Sequence, residues 1–161
     1  MEQPKIYLET TIFSFFHETR NYGEYPKYTE QVHEIFKRIK AGAYIPFTSS
    51  FTLREIAMDP DRKKQERMTA LVPEYRIMVL DESEEANWLA EQYVKEGAIS
   101  PNYVTDALHI AAAVVNGLDF IVSLNFTHIV RTWTIELVRR VNKRDGYLGI
   151  GIYKPSEVLE L

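Results

Sequence analysis

Five short apolar runs punctuate the chain: KIYL (5–8), AYIPF (43–47), RIMVL (76–80), DFIVSL (119–124) and LGIGIY (148–153). They are rich in Ile, Val, Tyr and Phe and mostly do not alternate with polar residues, which is how strands covered on both faces read. Between them the spacing turns helical. Ala86, Leu89, Ala90, Tyr93 and Val94 fall on one helical face, with Asp81 and Glu84 placed as a capping pair ahead of them. Ser100 followed by Pro101 opens a further helix, and Gly42, Gly97 and Gly117 suit the left-handed position that ends one. Asp59-Pro60 separates a short helix near 50–57 from another near 61–72. Regular strand–helix alternation predicts an α/β protein, a three-layer sandwich with a central parallel sheet of four to five strands and right-handed crossovers.

At 161 residues the chain is expected to form one domain, 1–161, large enough to bury a core without staples. It has no cysteine, which excludes disulfides, thiol chemistry and Cys-type zinc sites and fits a reducing compartment, so a cytoplasmic protein is expected. The opening MEQPKIYLE lacks the basic-then-apolar layout of a secretory signal, and the apolar run ALHIAAAVV is too short to span a bilayer. A net charge of −4 does not announce a nucleic-acid binder, although local patches and bound cations can override a total. Gly-rich phosphate loops, G-x-S-x-G elbows and dinucleotide fingerprints are missing, which leaves NTPase, serine-hydrolase and dehydrogenase readings without support.

In a parallel sheet flanked by helices, ligands bind at the carboxyl ends of the strands. Polar groups cluster there. Glu9, Thr10 and Thr11 follow the first strand; Ser49, Ser50, Arg54 and Glu55 follow the second; Ser123, Asn125 and His128 follow the fourth. Asp106 lies in PNYVTDALHIAAAVVNG, a helix apolar nearly all round, where a carboxylate is costly unless paired, hydrogen-bonded or metal-bound. Asn102, Asp106, His109 and Asn116 fall on one stripe of it.

Each residue also has a plainer reading. Glu9 can cap the next helix, Glu55 can sit in solvent, Asp106 can accept a buried hydrogen bond, and His109 can donate to a carboxylate within the packing. Taken together, three carboxylates and an amide oxygen form an oxygen-only site of the kind that Mg²⁺ or Mn²⁺ prefers. Such a site serves metal-assisted phosphodiester hydrolysis. Thr10, Ser50, Arg54, Ser123 and His128 are the candidate substrate contacts on the same rim. The charged stretches DPDRKKQER (59–67) and RRVNKR (139–144) read as solvated helix faces, and the aromatic NYGEYPKY (21–28) as a connecting loop or partner surface.

The order IYLETTIFSFF, SSFTLREI, YVTDALHIAAAVVNGLDFIVSLNFTHI and GIYKPSEVL resembles the PIN-domain proteins of the VapC-like toxin nuclease group over essentially the whole chain. The third segment is the most specific. The resemblance implies a PIN-like fold and a Mg²⁺- or Mn²⁺-dependent endoribonuclease leaving a 5′-phosphate. It further implies pairing with an antitoxin protein and a homodimer. By the same resemblance, the catalytic and metal-binding positions fall on Glu9, Glu55, Asp106 and Asn125, with Ser123 where the family favours a hydroxyl. The family's usual first acid is Asp, and Glu9 is longer by one methylene, which matters for an ion that demands near-ideal octahedral geometry. The rival expectation is therefore a catalytically impaired PIN-like protein that binds RNA or a partner.

Overall fold

The computed structural model describes residues 2–161. Its elements run β1 (Lys5–Leu8), α1 (Thr10–Phe16), α2 (Tyr25–Lys40), β2 (Ile45–Ser49), α3 (Ser50–Ala57), α4 (Arg62–Glu74), β3 (Met78–Leu80) and α5 (Glu84–Lys95). A 3₁₀ turn (Pro101–Tyr103) then leads into α6 (Val104–Val115), β4 (Phe120–Val122), α7 (Thr132–Arg144), β5 (Gly151–Tyr153) and α8 (Pro155–Leu159). The five strands form one sheet in the order β3-β2-β1-β4-β5, every neighbouring pair parallel.

Alternation along β1 builds the three layers, because successive side chains point to opposite faces. Ile6 and Leu8 enter a core shared with Ile12 and Phe13 of α1, Val32, Ile35 and Phe36 of α2, and Met68 and Leu71 of α4. Tyr7 enters the other, with Leu89 and Tyr93 of α5, Ile110 of α6 and Val138 of α7. All three β1 residues are fully buried, and each such apolar side chain contributes about 1.5–3 kcal/mol. Among the described residues no helix is long and apolar enough to cross a membrane.

Four local expectations shift. The second strand starts at Ile45 because residues 41–43 close α2: Gly42 (φ 86°) donates to the Ile39 carbonyl and Ala43 to that of Arg38. That pair of bonds is the Schellman ending that a left-handed glycine permits. Residues 25–28 of the aromatic stretch are not loop but the first turn of α2, begun by Tyr25 and Pro26. β3 is an edge strand with Met78 and Val79 exposed, so an apolar run does not mean cover on both faces there.

The fourth shift concerns the cap of α5, which is Ser83 and not Asp81: the Ser83 hydroxyl accepts from the Ala86 amide at 3.1 Å. Ser83→Ala is therefore expected to cost about 1 kcal/mol, read as a fall of roughly 2–4 °C in Tm. Asp81→Ala should stay within about 0.5 kcal/mol. Equal effects of the two changes on thermal melting would refute that assignment.

Candidate active site

β1 lies at the centre of the sheet, with β2 on one side and β4 on the other, so the chain reverses its winding direction at this strand. Ligand crevices in such sheets form at this reversal, beyond the carboxyl ends of the strands. The loops leaving β1, β2 and β4 carry the predicted residues there, and α6 adds Asp106 from the face below.

Glu9 is buried (3% exposed) at the end of β1, and its Oε1 takes three donors. They are the Thr11 amide at 3.2 Å, the Thr11 hydroxyl at 2.6 Å and the Ser123 hydroxyl at 2.6 Å. The first of these is a helix cap, so one oxygen performs the plainer task foreseen for Glu9. Ser123 is thus a positioning group for Glu9, itself buried, and it also accepts the Asn125 amide at 2.9 Å. The Thr11 hydroxyl accepts from the Leu124 amide at 2.8 Å and so ties the loop after β4 to that after β1.

Glu55 projects from α3, whose start is fixed by Ser49 capping the Phe51 amide at 3.2 Å. Its Oε1 accepts the Thr10 hydroxyl at 2.6 Å and bonds His109 Nε2. On its other side His109 Nδ1 meets the Tyr7 hydroxyl at 2.6 Å, which in turn lies 2.6 Å from the Ser49 hydroxyl. A chain Ser49–Tyr7–His109–Glu55–Thr10, buried as far as His109 and part-buried beyond it, therefore runs from the sheet to the rim. Burial opposes charge on Glu55, but the bond from His109, its charge and the Thr10 bond outweigh that and lower the carboxyl pKa. Burial likewise opposes protonation of His109, yet Tyr7, the Glu55 bond and the charges of Glu9 and Glu55 raise its pKa. The dyad is an ion pair, with His109 donating.

Asp106 is buried in the first turn of α6, with its Oδ2 3.2 Å from His128 Nδ1, and the His128 ring stacks on Tyr103 at 3.7 Å between centroids. Desolvation and then the charge of Glu9 push its carboxyl pKa up; His109 and His128 act against this, and Glu55 adds to it. Burial is thus the main cause of the shift, with the neighbouring carboxylates and histidines acting in opposite directions.

Other expected residues stand elsewhere. Among the described residues the group of ligand-type atoms lying within 4.8 Å of one another is Glu9, Glu55 and His109, without Asp106. Asn125 Oδ1 accepts the His128 amide at 3.0 Å and shapes the turn after β4. Arg54 is exposed, paired with Glu82 at 2.7 Å, and stacked over Phe51 at 5.0 Å. The Ser50 hydroxyl is buried without a hydrogen-bond partner. Asn102 and Asn116 are exposed at the two ends of the α6 region, outside the site. Tyr7 is a site residue that the sequence did not single out as such, and Ser49, expected on the rim, is joined to the site through it. Tyr7 sits in the same run as Glu9, but an apolar strand gives no sign that one hydroxyl within it faces a histidine.

No protein-family model and no curated protein matches the sequence. Among solved structures, a chain from the crystal structure of VapBC2 from Rickettsia felis, bound to a DNA fragment from their promoter, superposes with a TM-score of 0.60. The match covers 92% of this chain and 97% of that one at 13% sequence identity. The fold is PIN-like. At such low identity the likeness establishes architecture alone; within this PIN-like fold Glu9 stands at the carboxyl end of β1, while Glu55 and Asp106 come from α3 and α6.

Proposed function

We propose that this chain, as a single PIN-like domain spanning residues 1–161, is a divalent-metal-dependent endoribonuclease and the toxin of a toxin–antitoxin pair. The observation that carries the reading is geometric: ligand atoms of Glu9, Glu55 and His109 lie within 4.8 Å of one another at the sheet's reversal point, and burial, then the charge of Glu9, raises the pKa of Asp106 beside them. A hard cation suits this donor set, which is carboxylate-rich and free of sulfur.

Glu9, Glu55 and Asp106 would hold such an ion, Mg²⁺ or Mn²⁺, with Asp106, which lies outside the Glu9–Glu55–His109 group, and Asn125 contributing directly or through water. His109, bonded to Glu55 and, despite its burial, raised in pKa by Tyr7 and the neighbouring carboxylates, serves as their counter-charge when no cation is bound. When bound, the ion supplies Lewis-acid polarisation of a phosphoryl oxygen. The remaining work falls to side chains. Thr11 and Ser123 fix Glu9 through one oxygen; His109 and Thr10 keep Glu55 ionised and oriented. Asp106 can take up a cation or a proton, since either relieves the same repulsion. Thr10, Arg54 and His128 remain the residues proposed to face substrate, His128 with its ring already held by Tyr103, whereas Ser123 is buried and acts through Glu9, and the Ser50 hydroxyl is buried. The shared fold with VapBC2 supports an antitoxin partner, and the family resemblance supports a homodimer acting on RNA in the cytoplasm.

Glu9 gives the impaired-binder reading its one specific support, because its Oε1 already takes three protein donors. Cleavage of single-stranded RNA in Mn²⁺ separates the two. The native chain is expected to cut, and Glu9→Asp, whose shorter side chain retracts from Ser123, is expected to be slower by about tenfold. Activity present only in Glu9→Asp would establish the impaired binder.

A further inference from the structure

We propose that the cleft of about 430 Å³ between α2, the turn after β4 and the β5–α8 junction is a nucleotide subsite, taking a phosphate and a base of single-stranded RNA beside the acidic site. This deepens the nuclease reading and rests on it for the choice of polymer. His128, on the turn that Asn125 shapes, contacts Asp106 of the acidic site, while Phe126, Val130 and Arg131 of the same segment line the cleft. One segment, 125–131, therefore borders both the acidic site and the cleft.

The cleft is cationic in a chain whose net charge is −4. Lys27, Arg131 and Lys154 line it against a single carboxylate, Glu157, which already accepts the Lys154 amide at 3.1 Å. Lys154 has no ion-pair partner among the described residues, and the Lys27–Glu24 contact at 3.5 Å is an exposed pair of little worth. Arg131 uses Nε on the Thr134 hydroxyl at 2.8 Å and Nη2 on the Ala98 carbonyl at 3.5 Å, which leaves further guanidinium donors. Thr132 opens α7 in the cleft wall, and no side chain caps this 13-residue helix, so its positive end adds to the field.

Phe126 supplies the second requirement. Phe126 is 38% exposed in this cationic setting, and its ring is backed by Tyr28 at 5.6 Å between centroids. An aromatic face next to several cations fits a base joined to a phosphate, since stacking is available to every base. An acidic peptide would use the cations and leave the ring without a role.

The test is binding of a short fluorescent oligouridylate, read by anisotropy in EDTA over a salt series, with thermal melting as the folding check. Lys27→Ala combined with Lys154→Ala is expected to weaken binding about tenfold or more. It should also flatten the slope of log K against log salt by about 1.4, or about 0.7 for each phosphate no longer neutralised. Phe126→Ala is expected to weaken binding about tenfold with the slope unchanged. Native-like affinity and slope in both variants would overturn the subsite, as would no native binding of oligouridylate or preferential capture of polyglutamate. Cleavage in Mn²⁺ is scored separately. Binding that depends on these residues without any cleavage keeps the subsite and removes the nuclease reading; native cleavage unaffected by the variants does the reverse.

Discussion

Asp106→Asn is expected to lower RNA cleavage in Mn²⁺ by roughly 100-fold, and in EDTA at neutral pH to melt at a higher temperature than the native chain. Both effects have one cause. Burial and the charge of Glu9 raise the Asp106 pKa above its ordinary value of 3.8, so the ionised form destabilises the fold when no cation is bound. A raised pKa means stabilisation by the proton that is complete below the unfolded value and lost as pH rises through the folded one. The variant should therefore melt like the native chain at the acidic end, and its advantage should grow with pH and then level off. Adding Mn²⁺ should reverse the order, since binding to the folded state alone gives about 2.7 kcal/mol at a hundredfold excess over Kd. That gain belongs to the native carboxylate set. Equal melting at every pH, or full cleavage by Asp106→Asn, would remove the argument for strained charge at this site.

The architecture is legible in the sequence because each parallel strand is a short apolar run, and several are followed by helices with a hydroxyl cap or a glycine ending. The departures are local. At β3 the run RIMVL gives no sign of being an edge, because edge position is a property of strand order and not of strand composition. The α5 cap lies two residues beyond the expected Asp81 because Asp81 and Ser83 are both good cap types and only backbone direction separates them. Within the site, the carboxylates can be placed on a common rim from the strand–helix register alone. Their partners cannot. The bond between Glu55 and His109 joins residues 54 apart and depends on the rotation of α6 against β1. The bonds from Thr11 and Ser123 to Glu9 are likewise set by loop geometry, which residue spacing leaves open.

The largest stability effect is expected at His109, whose replacement by Ala should cost about 3–5 kcal/mol, or a fall in Tm on the order of 10 °C. The ring is fully buried between the edges of Tyr7 and Phe51, so its loss leaves a void in a packed layer. It also leaves the Tyr7 hydroxyl and the Glu55 carboxylate without their shared partner, which is the costlier part. His109→Gln restores an amide donor of similar reach and should recover part of the stability.

The pH profile separates charge from packing. His109 has a raised pKa, so its contribution is complete below 6.5 and is lost as pH rises through the folded value; Glu55 has a lowered one, so its contribution is complete above 4.5 and is lost as pH falls through its folded value. The ion pair therefore stabilises a plateau bounded by both, and native melting should decline on the alkaline side as the imidazolium gives up its proton. His109→Ala should lack that decline. An alkaline limb as steep in the variant as in the native chain would show that the proton resides elsewhere and that the Tyr7–His109–Glu55 chain acts through shape alone. In that case Glu55 would carry an uncompensated charge, and the repulsion at Asp106 would grow accordingly.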